Sequence, residues 1–353
     1  MIETTVIILN WNGARLLPAC LSALARQTYR DFELVLVDNG SIDGSLRLLA
    51  DLSSDIQPDW LDTPLPGKAR LILNADNLGF AEGNNVALRD IRSPYVALLN
   101  NDAIADPYWL ESMVDTMKTA SPSVGSVAST MLFSHRPDTV ASAGLRIHAD
   151  GVALDCGVGT SLSKAQKAGV RPVFGASAGA ALYRAEMLRD VGLLDARFFS
   201  YLEDADLAWR ARSRGWRALY NPCASVLHEY SATGGHNSAF KTALVARNRI
   251  WLLYKNMPET LLRRYWYSIA RYDTFAVAGG LLSRNRYVLH GRLQGLRHLS
   301  QLRTDRLKTL TSARLHPDEI DALLAPAMTP RQYLRYRQRL DNLVSRDEPA
   351  WSR

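Results

Sequence analysis

Cysteine is scarce in this chain. Its 353 residues hold three, Cys20, Cys156 and Cys223, far apart and odd in number. Neither a disulfide framework nor a paired zinc spacing can be built from them, so a reducing compartment is the expectation. Long apolar runs are lacking too. The best candidate for a membrane span, around residues 269–282, is broken by Arg271 and Asp273, and nothing approaches the roughly 18 uninterrupted apolar residues of a spanning helix. No basic leader segment precedes the first apolar run. These absences together predict a cytoplasmic protein that does not cross a membrane. Internal repeats and low-complexity tracts are missing as well. With 47% hydrophobic and 22% charged residues, the composition is ordinary for a globular protein, and the length allows one large core or two smaller ones.

Acidic residues thin out along the chain. Residues 1–240 carry 21 Lys and Arg against 26 Asp and Glu, a net charge of −5, whereas residues 241–353 carry 21 against 9, a net of +12. A basic back half of this kind faces phosphates, nucleic acid or an anionic membrane surface. No RNA- or DNA-binding motif accompanies it, and Leu, Tyr and Trp are spread among the arginines, including Tyr265, Trp266, Tyr267, Tyr272 and Tyr287. An anionic leaflet fits this pattern better than nucleic acid, a solvated helical face being the other reading, and no nucleic-acid partner is expected.

What the front half does contain is a rhythm of apolar runs and amphipathic segments. Thr4–Leu9, Glu33–Val37, Leu71–Leu73 and Tyr95–Leu99 read as strands, separated by helices around residues 16–24, 45–49, 82–89 and 106–118. That βαβ alternation predicts a doubly wound, mostly parallel α/β sheet with right-handed crossovers. From 124 to 173 the sequence is expected to form strands and loops without helix. It continues through the Gly- and Ala-rich stretch 174–182, an amphipathic helix opened by Glu203, Asp204 and Asp206, a last strand at 216–220 with a run at 225–228, and a helical region beyond about 241.

Polar residues stand where strands end. The first strand ends in Asn10-Trp11-Asn12-Gly13, the second in Asp38-Asn39-Gly40, the fourth in Asn100-Asn101-Asp102. Ligands of open α/β sheets sit at the carboxyl ends of strands, and a carboxylate there can hold a divalent cation and, through it, a diphosphate. The first turn is not Gly-x-Gly-x-x-Gly, which removes the dinucleotide-binding signature. Asp38 can equally form an Asx-turn with Asn39-Gly40, and the same turn chemistry is open to Asn10, Asn12 and Asn77. Glu203, Asp204 and Asp206 can simply complement a helix dipole.

These motifs, in this order, resemble glycosyltransferase family 2, the inverting enzymes of GT-A fold. The likeness covers about residues 4–256. Within that family the chain is most similar to the rhamnosyltransferase-like group of bacterial polysaccharide biosynthesis, on Asn77-Leu-Gly-Phe80-Ala-Glu-Gly-Asn84-Asn85, Leu98-Leu-Asn-Asn-Asp102, Tyr201-Leu-Glu-Asp204-Ala-Asp206-Leu and Arg247-Asn248. The resemblance implies a catalytic domain over 1–240, with a nucleotide-sugar half (about 1–120) and an acceptor half (about 121–240), followed by a basic, mainly helical region over 241–353. It implies a nucleoside-diphosphate sugar as donor and the hydroxyl of a saccharide or lipid-linked saccharide as acceptor.

The resemblance also distributes roles. Asp38 would contact the nucleobase, with Asn10, Asn12, Asn77, Phe80, Asn84, Asn100 and Asn101 lining the donor site. Asp102 corresponds to the last acid of the family's metal-binding Asp-x-Asp motif, whose first acid is replaced here by Asn100. With His228 it would hold Mg²⁺ or Mn²⁺. Asp204 corresponds to the general base, and Glu203 would orient the acceptor. The lipid-linked acceptors of such enzymes suggest peripheral residence on the inner face of the cell membrane. A processive synthase is not expected, because its Gln-x-x-Arg-Trp motif is missing. The rival reading is a weak or inactive relative serving as a nucleotide-sugar or anionic-membrane binding module.

Overall fold

The computed structural model describes residues 2–53, 58–67, 69–229 and 238–345. Its front half opens with strand β1 (Thr4–Asn10), helix α1 (Leu17–Ala25), β2 (Phe32–Asn39), α2 (Ser45–Ser53), β3 (Arg70–Asn74), α3 (Gly79–Leu88) and β4 (Tyr95–Asn100). Then follow β5 (Ala103–Ala105), α4 (Trp109–Thr119), β6 (Val124–Phe133), β7 (Arg136–Ser142), β8 (Leu145–Ile147), β9 (Ala153–Asp155), α5 (Leu162–Lys167), β10 (Arg171–Val173), β11 (Ala180–Arg184) and α6 (Ala185–Val191). Helix α7 (Glu203–Ser213) precedes the last strand of the sheet, β12 (Arg217–His228), and α8 (Ala239–Asn256), α9 (Glu259–Leu282), α10 (Tyr287–Arg297), α11 (Arg303–Thr311), α12 (Pro317–Leu323) and α13 (Pro330–Val344) form the helical region.

The main sheet runs β10-β12-β6-β11-β4-β1-β2-β3. β1 pairs in parallel with β2 and β4, β2 with β3, and β6 with β12, while β11 runs antiparallel between β4 and β6. The continuous apolar runs of the sequence follow from two-sided burial. Along β1, Val6 and Ile8 enter one core with α1 and α4, and Ile7 enters the opposite one beneath α3 and α6. β2 and β4 alternate in the same way, as the two-residue strand period requires. Each such side chain, fully buried, contributes about 1.5–3 kcal/mol.

Two local expectations change. The runs at 216–220 and 225–228 are one strand, β12, whose register against β6 slips between Tyr220 and Ser225, around Pro222. A bulge lets one strand absorb a proline that a regular ladder would reject. The stretch expected to be helix-free contains α5, only six residues long, whose N-cap Ser161 accepts from Lys164 N at 3.4 Å. So short a helix shows no legible periodicity.

The helical region packs onto the sheet domain. A third core joins Leu145, Ile147, Phe174, Phe198 and Trp209 to Trp251, Leu252, Met257, Leu261, Leu302 and Ile320. Much of its charge is used internally: Arg249 and Arg292 each reach Asp273 at 2.8 Å, Arg264 pairs with Asp321 at 2.7 Å and Asp318 at 3.2 Å, and Arg263 pairs with Glu259.

Candidate active site

The carboxyl ends of β1, β2 and β4 meet in a hydrogen-bonded cluster of short polar side chains. Asn10 Nδ2 donates to Asp38 Oδ2 at 3.0 Å and to Ser41 Oγ at 3.2 Å, and Asn101 Nδ2 donates to Asn10 Oδ1 at 2.8 Å. Asp38 Oδ1 accepts from Ser41 N at 2.8 Å, the expected Asx-turn. Asn12, at φ 50°, accepts from Ile42 N at 2.8 Å through its side chain. Asp38, Asn10 and Asn101 are all buried, where an unmade hydrogen bond is costly.

A second knot lies at the end of β2. Asn39 Nδ2 donates to Asn77 Oδ1 at 2.9 Å, and Asn39 Oδ1 accepts from Asn74 Nδ2 at 3.0 Å and Leu78 N at 3.1 Å. Asn77 Oδ1 also accepts from Gly79 N at 2.9 Å, so Asn77 works as a turn former. Two other candidates stand apart from the crevice cluster. Asn84, 2% exposed, donates to the Phe80 carbonyl of its own helix at 2.8 Å, and the Phe80 ring packs on the core beneath α3.

Beyond β4, His228 Nε2 lies 3.1 Å from Asp102 Oδ1 and 3.1 Å from Asn100 Nδ2. Antiparallel pairing of β5 with β12, which sets His228 opposite Ala103, brings these residues together across 126 positions of sequence. Asp102 Oδ1 is buried and accepts no hydrogen bond from a described residue. The buried Asp102 Oδ1 and the neighbouring imidazole nitrogen, one carboxylate oxygen with one ring nitrogen, are a donor set that suits Mn²⁺ or Mg²⁺. These residues therefore fit a divalent ion, although no group of three or more potential ligands exists among the described residues.

The Gly- and Ala-rich stretch links this end of the site to the acid pair on α7. Asn100 N donates to Gly179 O at 2.8 Å, while Ala178 N, one residue earlier, donates to Asp204 Oδ2 at 3.3 Å. A side chain at Gly179 would lie 3.1 Å from Asn100 Nδ2, and one at Gly175 would strike Ala208 of α7. Close sheet–helix packing and access to the site are thus both served by this segment.

The sequence suggests that a helix N-terminus keeps Asp204 acidic. Burial wins instead. It raises the Asp204 carboxyl despite hydrogen bonds from Ala178 N, from Ala205 N (2.7 Å) and from the Ser177 hydroxyl. Glu203 is pushed well above the ordinary carboxylate range, first by burial and then by the Asp204 charge, and its Oε2 has no partner among described residues. Asp206 goes the other way. It is fully buried and its carboxyl is lowered; burial itself opposes this, but Arg210 and Lys255 outweigh it, at 2.8 and 2.9 Å, with Asn256 donating at 2.8 Å. Asp206 therefore ties α7 to α8.

Sequence reasoning missed three participants. Asn39 and Ser41 organise the turns that follow β2. Asp155, half-buried on β9, is pushed up to about 6, mainly by burial and further by the Asp204 charge, against a Ser142 hydrogen bond and the charge of Lys241. No sequence signal marks Asp155, because a short strand in a Gly-rich stretch brings it there.

The approach to α7 is strained. Phe199, Tyr201 and Leu202 have φ of 64°, 71° and 67°. Asn248 Nδ2 holds this loop through the carbonyls of Phe198, Ser200 and Tyr201 at 2.9, 3.0 and 2.7 Å, and Arg247 reaches the Phe198 carbonyl at 2.9 Å. The Arg247-Asn248 pair, legible only as a motif, is the clamp on this loop.

A mostly parallel sheet with polar strand ends gathered around a carboxylate–imidazole pair, and an acid-bearing helix opposite, is the GT-A architecture of nucleotide-sugar glycosyltransferases. The chain belongs to glycosyl transferase family 2, whose pattern matches residues 5–192. It is 29% identical over 226 residues to an uncharacterised protein of Sinorhizobium fredii, covering 61% of this chain and 23% of that one. Over 69 residues it is 39% identical to the N-acetylglucosaminyl-diphospho-decaprenol L-rhamnosyltransferase of Mycobacterium tuberculosis, covering 20% and 22%. The matched stretches thus span under a quarter of each relative's length. The fold is similar to that of GalNAc-T7, solved with UDP, GalNAc and Mn²⁺, at a TM-score of 0.60 and 14% identity, covering 85% of this chain and 56% of that one.

Proposed function

We propose that the protein is a metal-dependent, inverting glycosyltransferase. It would move a sugar from a nucleoside-diphosphate donor to a hydroxyl of a saccharide or lipid-linked saccharide in cell-surface polysaccharide synthesis. The observation that carries this reading is the backbone bridge from Ala178 to Gly179. It joins Asp204 on one side to Asn100, and hence to Asp102 and His228, on the other. A base and an ion site separated by one such segment suit in-line displacement, with acceptor and leaving group on opposite sides of the anomeric carbon.

In this reading Asp38 accepts from the nucleobase, and Asn10, Asn12 and Asn101 line the nucleotide crevice. Asp102 and His228 hold the divalent ion, which when bound neutralises charge on the departing diphosphate. Asp204 takes the proton of the acceptor hydroxyl as its oxygen bonds to the anomeric carbon, while the electron pair of the breaking bond leaves with the diphosphate. A carboxylate whose pKa is raised is a stronger base near neutral pH than an ordinary one. Glu203, held neutral, can donate its proton to a second acceptor oxygen and orient it. The fragment shared with the mycobacterial enzyme favours a deoxyhexose such as rhamnose as the sugar.

The test is a panel of nucleotide sugars incubated with Mn²⁺ and the full chain. Release of nucleoside diphosphate from one donor well above the rest, with inverted anomeric configuration in the product, is expected. Tight nucleotide binding with no turnover of any donor, with or without acceptor, would instead favour the binding-module reading.

A further inference from the structure

Between Asp273 and Asp305 the sequence contains no acidic residue, yet it holds Arg284, Arg286, Arg292, Arg297 and Arg303. Only Arg292 is committed internally, to Asp273. The other four are exposed and form no ion pair with a described residue. This stretch is the hairpin of α9 and α10, and its turn is firmly built. Asn285 N donates to Gly280 O at 2.7 Å and Ser283 Oγ to Gly279 O at 2.8 Å, while a side chain at Gly280 would lie 2.9 Å from Val288. A turn so well ordered nonetheless leaves Leu281 62% and Leu282 88% exposed.

Helix α10 continues the pattern. Gly291 and Gly295 bring its inner face against the backbone carbonyls of Ala243 and Arg247 on α8. At about 100° per residue, Leu289, Leu293 and Leu296 lie on the opposite side of the helix, and they are 38%, 44% and 56% exposed. An apolar stripe on the acid-free, arginine-flanked tip of the hairpin and on α10 is thus turned away from the protein.

We propose that this hairpin docks on an anionic membrane leaflet, with the leucines entering the interface and Arg284, Arg286 and Arg297 meeting lipid phosphates. Charge selects this occupant. A second copy seated on the same face would set arginines against arginines with no acid to offset them, whereas an anionic lipid surface complements them. No helix among the described residues is long and apolar enough to cross a membrane, so the attachment is peripheral. Arg263 and Arg264, at the other end of α9, are engaged with Glu259 and Asp321 instead. This inference does not depend on the catalytic reading, and its test reads lipid binding alone.

The full chain is sedimented with phosphatidylcholine vesicles, with and without phosphatidylglycerol, at rising salt. Binding is expected only with phosphatidylglycerol and should weaken with salt. Each basic contact is worth on the order of 1 kcal/mol, or about fivefold. R284E/R286E should therefore lower vesicle affinity by about 25-fold or more, and L281S/L282S should weaken it even at low salt. Both pairs are exposed, so unchanged circular dichroism is expected and serves as the folding control. Folded variants that bind like the parent overturn the proposal. So does a parent that ignores anionic vesicles, or one that forms a dimer abolished by L281S/L282S, which would make the stripe a self-contact.

Discussion

Asn248 Nδ2 lies 2.7 Å from the Tyr201 carbonyl. Its two amide protons are shared among three consecutive-loop carbonyls just before the acid pair. Non-glycine residues at positive φ cost roughly 1–3 kcal/mol each, and this loop has three of them. The clamp offsets that strain from a helix outside the sheet domain. Asn248→Leu should therefore cut turnover sharply while nucleotide affinity stays within a few fold. It should also destabilise the chain by about 3 kcal/mol, since buried carbonyls lose their donor. Thermal unfolding and nucleotide titration on the same sample check both. A variant with parental turnover would show that the loop holds itself.

Replacing Asp204 by Asn should lower turnover by about a hundredfold or more, the usual range for a positioned base, with little change in donor affinity. Because burial raises the Asp204 carboxyl, activity should fall as pH drops through a value above the ordinary carboxylate range. A pH–rate profile with its acidic limb at or below pH 4 would contradict that assignment.

Glu203→Gln separates the two acids. Burial pushes the Glu203 carboxyl well above the ordinary range, which favours the protonated form that an amide imitates, so at least a tenth of parental turnover should survive. The folded-state pKa is raised, so the parent's contribution from this group is complete at low pH and is lost as pH rises toward the folded value. The variant should accordingly gain stability over the parent as pH increases from about 4 upward, measured by denaturant melts across pH. If Glu203→Gln is inactive and Asp204→Asn is not, the roles are exchanged.

Asp102→Ala and His228→Ala should each weaken Mn²⁺ binding in the presence of nucleoside diphosphate by about tenfold or more, read by calorimetric titration independently of turnover. Unchanged Mn²⁺ affinity in both variants would remove the ion from this end of β4.

Asp206→Asn should cost about 3–5 kcal/mol, because it leaves Lys255 and Arg210 buried with a missing charge. The carboxyls of Asp195 and Asp206 are both lowered in the folded state. Their stabilisation is present above about pH 4 and disappears as pH falls below it, so the parent's acid unfolding should be steep and that of Asp206→Asn shallower.

The strand-end positions of Asp38 and Asp102 were legible because they are local: each follows an apolar run whose alternation across the sheet dictates a strand. Asp206 beside Asp204 could not be sorted from it by sequence, since its partner Lys255 lies 49 positions later and only the docking of α8 brings them together. The strained loop was hidden for a different reason: Phe198-Phe199-Ser200-Tyr201-Leu202 contains no glycine or asparagine, so nothing advertises positive φ. Asp155 reaches the site only through the short pairing of β8 with β9.

The loop that Asn248 grips also touches the donor-side motif: Ala81 N donates to Phe199 O at 3.0 Å, and Gly79 packs so closely on Phe199 that any side chain there would collide with it. Residues near 80, 200 and 248 thus form one contiguous unit. During synthesis, the first four strands can pair long before the segment that completes their rim has left the ribosome. The loop before α7 gains its clamp only when α8 emerges, so a chain that ends short of Asn248 carries the Phe198–Leu202 stretch unheld, and incompletely packed chains of that kind are the more open to aggregation.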